Sequence, residues 1–228
     1  MKRIGDSLAG RRVLVTQCDD FMGPALVAAF AAHGADVVAD PRPLADPDVA
    51  AAVCAAAGDV EVLVANLAVP APSTPAHLVG DDEWRHVFAH LVDPLPRLAR
   101  ALLPRMIERR AGKVVVMGSA TALRGLKRSA SYSAARGAQL AWVRAVGVEL
   151  APHDVQVNLI TQNFVDNATY FPPEVQALPA FQERLRREVP AGRLGTPEED
   201  ALFAVFLASS EVSFLTGQGI AFAGGWAS

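Results

Sequence analysis

Arg12-Val13-Leu14-Val15-Thr16-Gln17-Cys18-Asp19-Asp20-Phe21-Met22-Gly23, running on into Pro24-Ala25-Leu26-Val27-Ala28-Ala29-Phe30, is the stretch from which the fold is read. A short apolar run predicts a buried strand, the polar residues after it a tight turn, and the small apolar residues beyond Gly23 a helix. At such a strand–turn–helix junction glycines normally let the backbone approach a phosphate at the helix N-terminus. Here Gln17 and Phe21 occupy positions where glycines are expected, and only Gly23 remains. The turn is either damaged or rebuilt for another ligand.

Outward from this junction the same rhythm repeats. Apolar strand-like runs fall at 12–16, 36–39, 60–65, 113–118, 155–160 and 219–222. They are rich in Val, Leu and Ile and barely alternate, as strands covered on both faces do. Helical patterns lie between them at 23–33, 82–109, 131–150 and 197–209. Gly34 stops the first, and Pro94, Pro96 and Pro104 bend or divide the second. Thr196 and Pro197 start the last as N-cap and first helical residue. Strand and helix alternate throughout, which predicts an α/β chain built of βαβ units around a doubly wound parallel sheet.

The 228 residues suit a single domain over 1–228 with a full core, and 51% hydrophobic content with 20% charged content argues against disorder. A net charge of −3 without long runs of one sign argues against a nucleic-acid or anionic-membrane partner. Cys18 and Cys54 fit neither a disulfide framework nor a metal-ligand spacing, so a reduced, cytoplasmic setting and no metal are expected. The first residues lack the apolar core of a signal peptide, and no window approaches the length of a membrane span.

Two segments carry chemistry. Ser119 ends a buried run, Tyr132 follows thirteen residues later near a helix start, and Arg136 lies four beyond, on the same helical face. A free phenol titrates near ~10 and is a poor base at neutral pH. A fixed positive charge about 4–6 Å away favours phenolate by roughly 1–3 pH units. Arginine supplies that charge without itself shuttling protons. A serine hydroxyl can hold the substrate oxygen while the tyrosine takes its proton. A Tyr–Arg pair at this spacing also occurs on many helices by chance, and Ser119 could merely cap a strand end. The second segment, 161–173, holds Phe164, Tyr170 and Phe171 at the carboxyl edge of the expected sheet. It reads as a ligand wall, or as a lid packed for stability alone.

With these residues in view the chain resembles the short-chain dehydrogenases/reductases over nearly its whole length. The resemblance rests on Asn66-Leu67-Ala68, Ser119, Tyr132, Gly192-Arg193-Leu194-Gly195-Thr196-Pro197-Glu198-Glu199, Phe206-Leu207-Ala208-Ser209, Thr216-Gly217-Gln218 and Gly224-Gly225. It departs from them where a nicotinamide cofactor is handled. The family's first turn reads Thr-Gly-x-x-x-Gly-x-Gly, and its tyrosine is followed by a lysine at the place of Arg136. His90 stands where an asparagine is common, and Asp40 reads as a surface or capping residue where an NAD-binding member would hold ribose.

Both departures are similar to one subgroup, the halohydrin dehalogenases, with Ser-x12-Tyr-x3-Arg and a first turn Thr-x4-Phe/Tyr-x-Gly. Ser119, Tyr132 and Arg136 match the first pattern; Thr16, Phe21 and Gly23 match the second. The wording around 64–69 and 167–171 looks closest to the B-type members.

This resemblance implies a Rossmann-like three-layer αβα sandwich and a homotetramer. It implies closure of vicinal haloalcohols to epoxides with release of halide and a proton, no cofactor, and the reverse opening by small anions such as azide, cyanide or nitrite. Tyr132 would take the hydroxyl proton, Ser119 hold the oxygen and Arg136 favour the phenolate. Phe21, Gln162, Asn163, Phe164 and Val165 would bind the halide, with Thr121, Tyr170 and Phe171 in the substrate pocket. Two alternatives stay open: an NAD(P)-dependent short-chain oxidoreductase with a degenerate cofactor turn, and a catalytically silent binding protein.

Overall fold

The computed structural model describes residues 3–227. Its elements are β1 (Arg12–Thr16), α1 (Gly23–Ala32), β2 (Asp36–Asp40), α2 (Pro47–Ala57), β3 (Val62–Asn66), α3 (Asp81–Leu91) and α4 (Pro94–Glu108). Then come β4 (Gly112–Met117), α5 (Ala130–Leu150), β5 (Val155–Gln162), α6 (Pro173–Gln176), α7 (Pro179–Glu188), α8 (Pro197–Ala208) and β6 (Gly219–Phe222). The strands form one parallel sheet in the order β2-β1-β3-β4-β5-β6. This is a Rossmann-like, doubly wound α/β fold, as the alternation of elements predicts.

The unbroken apolar strands have a simple cause: both faces of the sheet are covered. Leu14, Leu63, Val114 and Val116 pack on one side against residues of α2, α4 and α5, including Val53, Leu98 and Val143. Val13, Val15, Val62, Val64 and Val115 pack on the other against Leu26 and Phe30 of α1 and Ala204 and Val205 of α8. A third cluster lies beyond the carboxyl edge, where Phe181, Leu185 and Val189 of the α7 segment meet Phe164, Ala223 and Trp226.

The division expected within 82–109 falls at Pro94: the chain breaks at Val92-Asp93 and Pro94, lacking an N–H, opens α4, while Pro104 is accommodated inside it. Three other expectations change. The alanine-rich α2 was not anticipated, although Asp46 caps it by accepting from the Asp48 N–H at 2.8 Å. No helix is expected between 160 and 197, whereas past the irregular stretch 163–172 the chain forms α6 and α7. Finally, Thr161 and Gln162 are strand residues: β5 continues to Gln162 because β6 pairs with it, Gln162 opposite Phe222. The aromatic loop therefore starts at residue 163 and hangs from a rigid strand end.

The strand order reverses beside β1, so the crevice for a ligand lies at the carboxyl ends of β1 and β3–β5. Gly23 makes the first turn possible. A Cβ at that position would lie 2.3 Å from the Cys18 carbonyl oxygen. Gly23→Ala is therefore expected to cost ~1–3 kcal/mol and lower the melting temperature by roughly 2–12 °C. An unchanged melting curve would contradict this packing.

Candidate active site

A cavity of about 250 Å³ opens at the carboxyl edge, smaller than the ~300–1,000 Å³ of drug-sized ligand sites. Every cavity residue expected from sequence lines it: Phe21, Ser119, Thr121, Tyr132, Gln162, Asn163, Phe164, Val165, Tyr170 and Phe171. Arg136 lies behind the wall, buried one turn along α5 from Tyr132, its guanidinium carbon 5.0 Å from the Tyr132 ring centroid.

Ser119 follows β4 and caps a short 3-10 turn, accepting from the Thr121 N–H at 3.2 Å and the Thr121 hydroxyl at 3.0 Å. With its lone pairs taken, its own proton is directed to another acceptor. Arg136 Nη1 donates to the Met117 carbonyl at 3.0 Å and to Gln139 Oε1 at 2.9 Å; Nη2 donates to the Leu67 carbonyl at 3.2 Å. No carboxylate among the described residues pairs with this guanidinium. Tyr170 belongs to the same network. Its hydroxyl donates to the Val69 carbonyl at 3.0 Å and accepts from the Ala71 N–H at 3.1 Å, close enough to Tyr132 for the two phenols to influence each other. Burial, and then the neighbouring Tyr132, push the Tyr170 phenol well above its ordinary range, so Tyr170 keeps its proton.

The first turn keeps a glycine-like backbone with large side chains on it. Gln17 (φ 44°) and Phe21 (φ 56°) are both left-handed, a conformation costing a non-glycine residue of order 1–3 kcal/mol. The Gln17 amide offsets part of this by bonding the Ala68 backbone twice, donating to its carbonyl and accepting from its N–H, each at 3.2 Å. Asn66 Nδ2 ties down the turn from β3, donating to the Gln17 and Asp20 carbonyls at 2.9 Å each. The Phe21 ring meets the Tyr170 ring edge-on at 5.2 Å. Asp40 accepts from both the backbone N–H and the guanidinium of Arg42, which holds its carboxyl below the usual range.

The far wall is aromatic. Phe164, also left-handed at φ 54°, stacks on Phe171 at 5.7 Å and meets Trp226 at 6.1 Å. Gln162 is buried against Asp200 of α8, one end of its amide 3.1 and 2.7 Å from the two carboxyl oxygens. Burial pushes the Asp200 carboxyl up to about 8.

Several site residues had no sequence signal. Gln139 is fully buried and links Arg136 to the Leu91 carbonyl, to which it donates at 2.6 Å. Ser129 and Ser131, which sequence offers as N-cap or surface hydroxyls, are buried, and Ser129 is the N-cap residue of α5. Ser129 lines the cavity, its own Oγ buried without a hydrogen-bond partner among the described residues, whereas Ser131 donates to Glu83 at 2.5 Å and anchors the first turn of α5. Arg184 reaches the cavity from α7. The helical spacing of Gln139 to Arg136 and the position of Ser129 and Ser131 beside Tyr132 could have drawn notice; Arg184 comes from a distant segment. His90 turns away, its Nδ1 2.8 Å from the His86 carbonyl on its own helix. Among the described residues no cluster of His, Cys, Asp or Glu could hold a metal ion, and no helix is long and apolar enough to cross a membrane.

Residues 10–227 match the family described as "Enoyl-(Acyl carrier protein) reductase". The chain belongs to the short-chain dehydrogenase/reductase family. Within this family it is similar to the 3-oxoacyl-(acyl-carrier-protein) reductase FabG of Vibrio harveyi, 30% identical over 172 residues, 74% of this chain and 67% of that protein. The matches span about two thirds of the length of such curated relatives, which are mostly reductases. Among solved structures, one titled "Dehalogenation enzyme" superposes with a TM-score of 0.90 at 29% identity, covering 97% of this chain and 100% of its own. A halohydrin dehalogenase (HheC) bound to ethyl (2S)-oxiran-2-ylacetate superposes with a TM-score of 0.86 at 26% identity, covering 95% and 97%.

The buried Asp200 gives this family member a pH signature. The unfolded chain ionises this carboxyl near ~3.9, whereas the folded protein holds it neutral up to about 8. Between these values the folded state binds the extra proton, so its contribution to stability is lost as pH rises through that window. Asp200→Asn is expected to flatten the decline in melting temperature between those pH values; equal slopes for both proteins would refute it.

Proposed function

We propose that the protein converts vicinal haloalcohols to epoxides, releasing halide and a proton, without a nicotinamide cofactor. One observation carries this: Phe21, from the turn that would otherwise cradle a pyrophosphate, puts its ring in the wall of the cavity that holds Ser119 and Tyr132. The residues present do not fit a dinucleotide. Gln17 closes the first turn onto Ala68, Asp40 is engaged by Arg42, and Arg136 replaces the lysine that reductases of this family use. Likeness to two dehalogenating structures supports the same reading.

In this mechanism Ser119 donates to the substrate hydroxyl oxygen and Tyr132, as phenolate, removes its proton. The oxygen's electron pair attacks the adjacent carbon as the carbon–halogen bond breaks, its electrons leaving with the halide. Arg136 compensates the negative charge on Tyr132, while Tyr170 stays protonated beside it with its proton on the Val69 carbonyl. The halide departs toward residues 162–165, where Phe21, Phe164 and Phe171 exclude water and so strengthen the hydrogen bonds it keeps; the Asn163 and Phe164 N–H groups are themselves engaged by the Phe222 carbonyl and Asn163 Oδ1. In reverse, Tyr132 protonates the epoxide oxygen as a small anion attacks.

A reductase is the competing reading, favoured by the curated relatives. Halide release from 1,3-dichloro-2-propanol without added nucleotide separates the two. The wild type is expected to release halide, Tyr132→Phe to lose at least ~100-fold, and NADPH to show no binding by fluorescence. NADPH binding with ketone reduction and no halide release would establish the reductase instead.

Arg136→Lys tests the charge. An ammonium cannot span the Met117 and Leu67 carbonyls with a planar fork. The rate is expected to fall and the pH–rate profile to move. An unmoved profile removes Arg136 from that role.

A further inference from the structure

Arg184 is, among the described residues, the single charged side chain in the cavity wall, and no carboxylate lines that wall. It reaches the cavity from α7, with its guanidinium carbon 5.5 Å from the Phe164 ring centroid and its side chain 44% exposed. It therefore stands where the cavity meets solvent, whereas Arg136 is buried behind Tyr132. Its charge is only partly answered. Glu188 accepts from Arg184 Nε at 3.2 Å and from Arg187 Nη2 at 3.1 Å, so one carboxylate serves two guanidinium groups. The two terminal nitrogens of Arg184 have no hydrogen-bond partner among the described residues.

A substrate held by Ser119 and Tyr132, with its halogen toward residues 162–165, has its remaining substituent left to fill the rest of a small cavity. We propose that Arg184 is a specificity-determining residue that selects haloalcohols and epoxides carrying a carboxylate on that substituent. The planar guanidinium matches a carboxylate bidentately. A partly desolvated position beside the Phe164 ring makes the pair stronger than a fully exposed one. This inference rests on the dehalogenase reading and names its substrate class.

The test compares 4-chloro-3-hydroxybutyrate with its ethyl ester, which share the reacting atoms and differ in charge. The wild type is expected to favour the acid in kcat/KM. Arg184→Gln should lower the acid-over-ester ratio of kcat/KM about tenfold, mainly through KM for the acid. Arg184→Lys should restore part of the preference. An acid reaction unaffected by Arg184→Gln, or an equal loss with acid and ester, overturns the proposal; the latter would assign Arg184 to packing on Phe164 or to the halide. The two readings fail separately. Absence of halide release from the neutral dichloropropanol strikes the dehalogenase reading. Calorimetry with the unreactive pair 3-hydroxybutyrate and 3-hydroxybutyramide reports on Arg184 regardless of turnover: tighter binding of the acid, lost in Arg184→Gln, supports it, and equal binding refutes it.

Discussion

The Arg136 guanidinium is buried, with no carboxylate paired to it among the described residues, and much of the site is arranged around that fact. Removing an unpaired cation from water costs several kcal/mol even after relaxation. Here the compensation comes from dipoles: the Met117 carbonyl at the end of β4, the Leu67 carbonyl just beyond β3, and the Gln139 amide, itself held by the Leu91 carbonyl. These groups orient the cation but do not neutralise it. The charge remains available to whatever negative charge forms on Tyr132, whose ring lies against it. A lysine would meet the same carbonyls as a point charge and could not span them as a planar fork does.

The sheet makes such an arrangement possible because parallel strands end together. β1, β3, β4 and β5 deliver Gln17, Leu67, Ser119 and Gln162 to one edge, from positions spread over 145 residues of chain. The elements that aim these groups are themselves tied down. Glu83 accepts from Thr74 and Ser131 and fixes the start of α5. Asn66 holds the first turn, and Asp200 holds the strand end from which the aromatic loop departs. Tyr170 does the same for the loop itself, joining it to Val69 and Ala71 through one hydroxyl.

The first turn shows how a phosphate cradle is converted into a wall. Its backbone still visits the left-handed region at Gln17 and Phe21, where glycine would sit without strain. The side chains added there offset that strain through contacts a glycine could not make: the Gln17 amide on Ala68 and the Phe21 ring on Tyr170. Gly23 alone is retained, because the Cys18 carbonyl leaves no room for a Cβ.

The amino-acid sequence by itself determined the layered α/β fold, because strands buried on both faces must be continuously apolar and helices between them must carry caps and breakers. It also determined the Tyr132–Arg136 pairing, since residues four apart on a helix share a face, and the aromatic character of the cavity wall. Only the tertiary structure decided what closes the cavity and how charge is distributed around it. The partners of Gln17, Gln162, Tyr170 and Arg184 lie in segments brought together by the sheet and by α7, and no local periodicity records such contacts. That Asp200 is buried against Gln162, and that Arg136 meets carbonyls and no acid, depend on which side chains share a desolvated space, which the order of residues along the chain does not state.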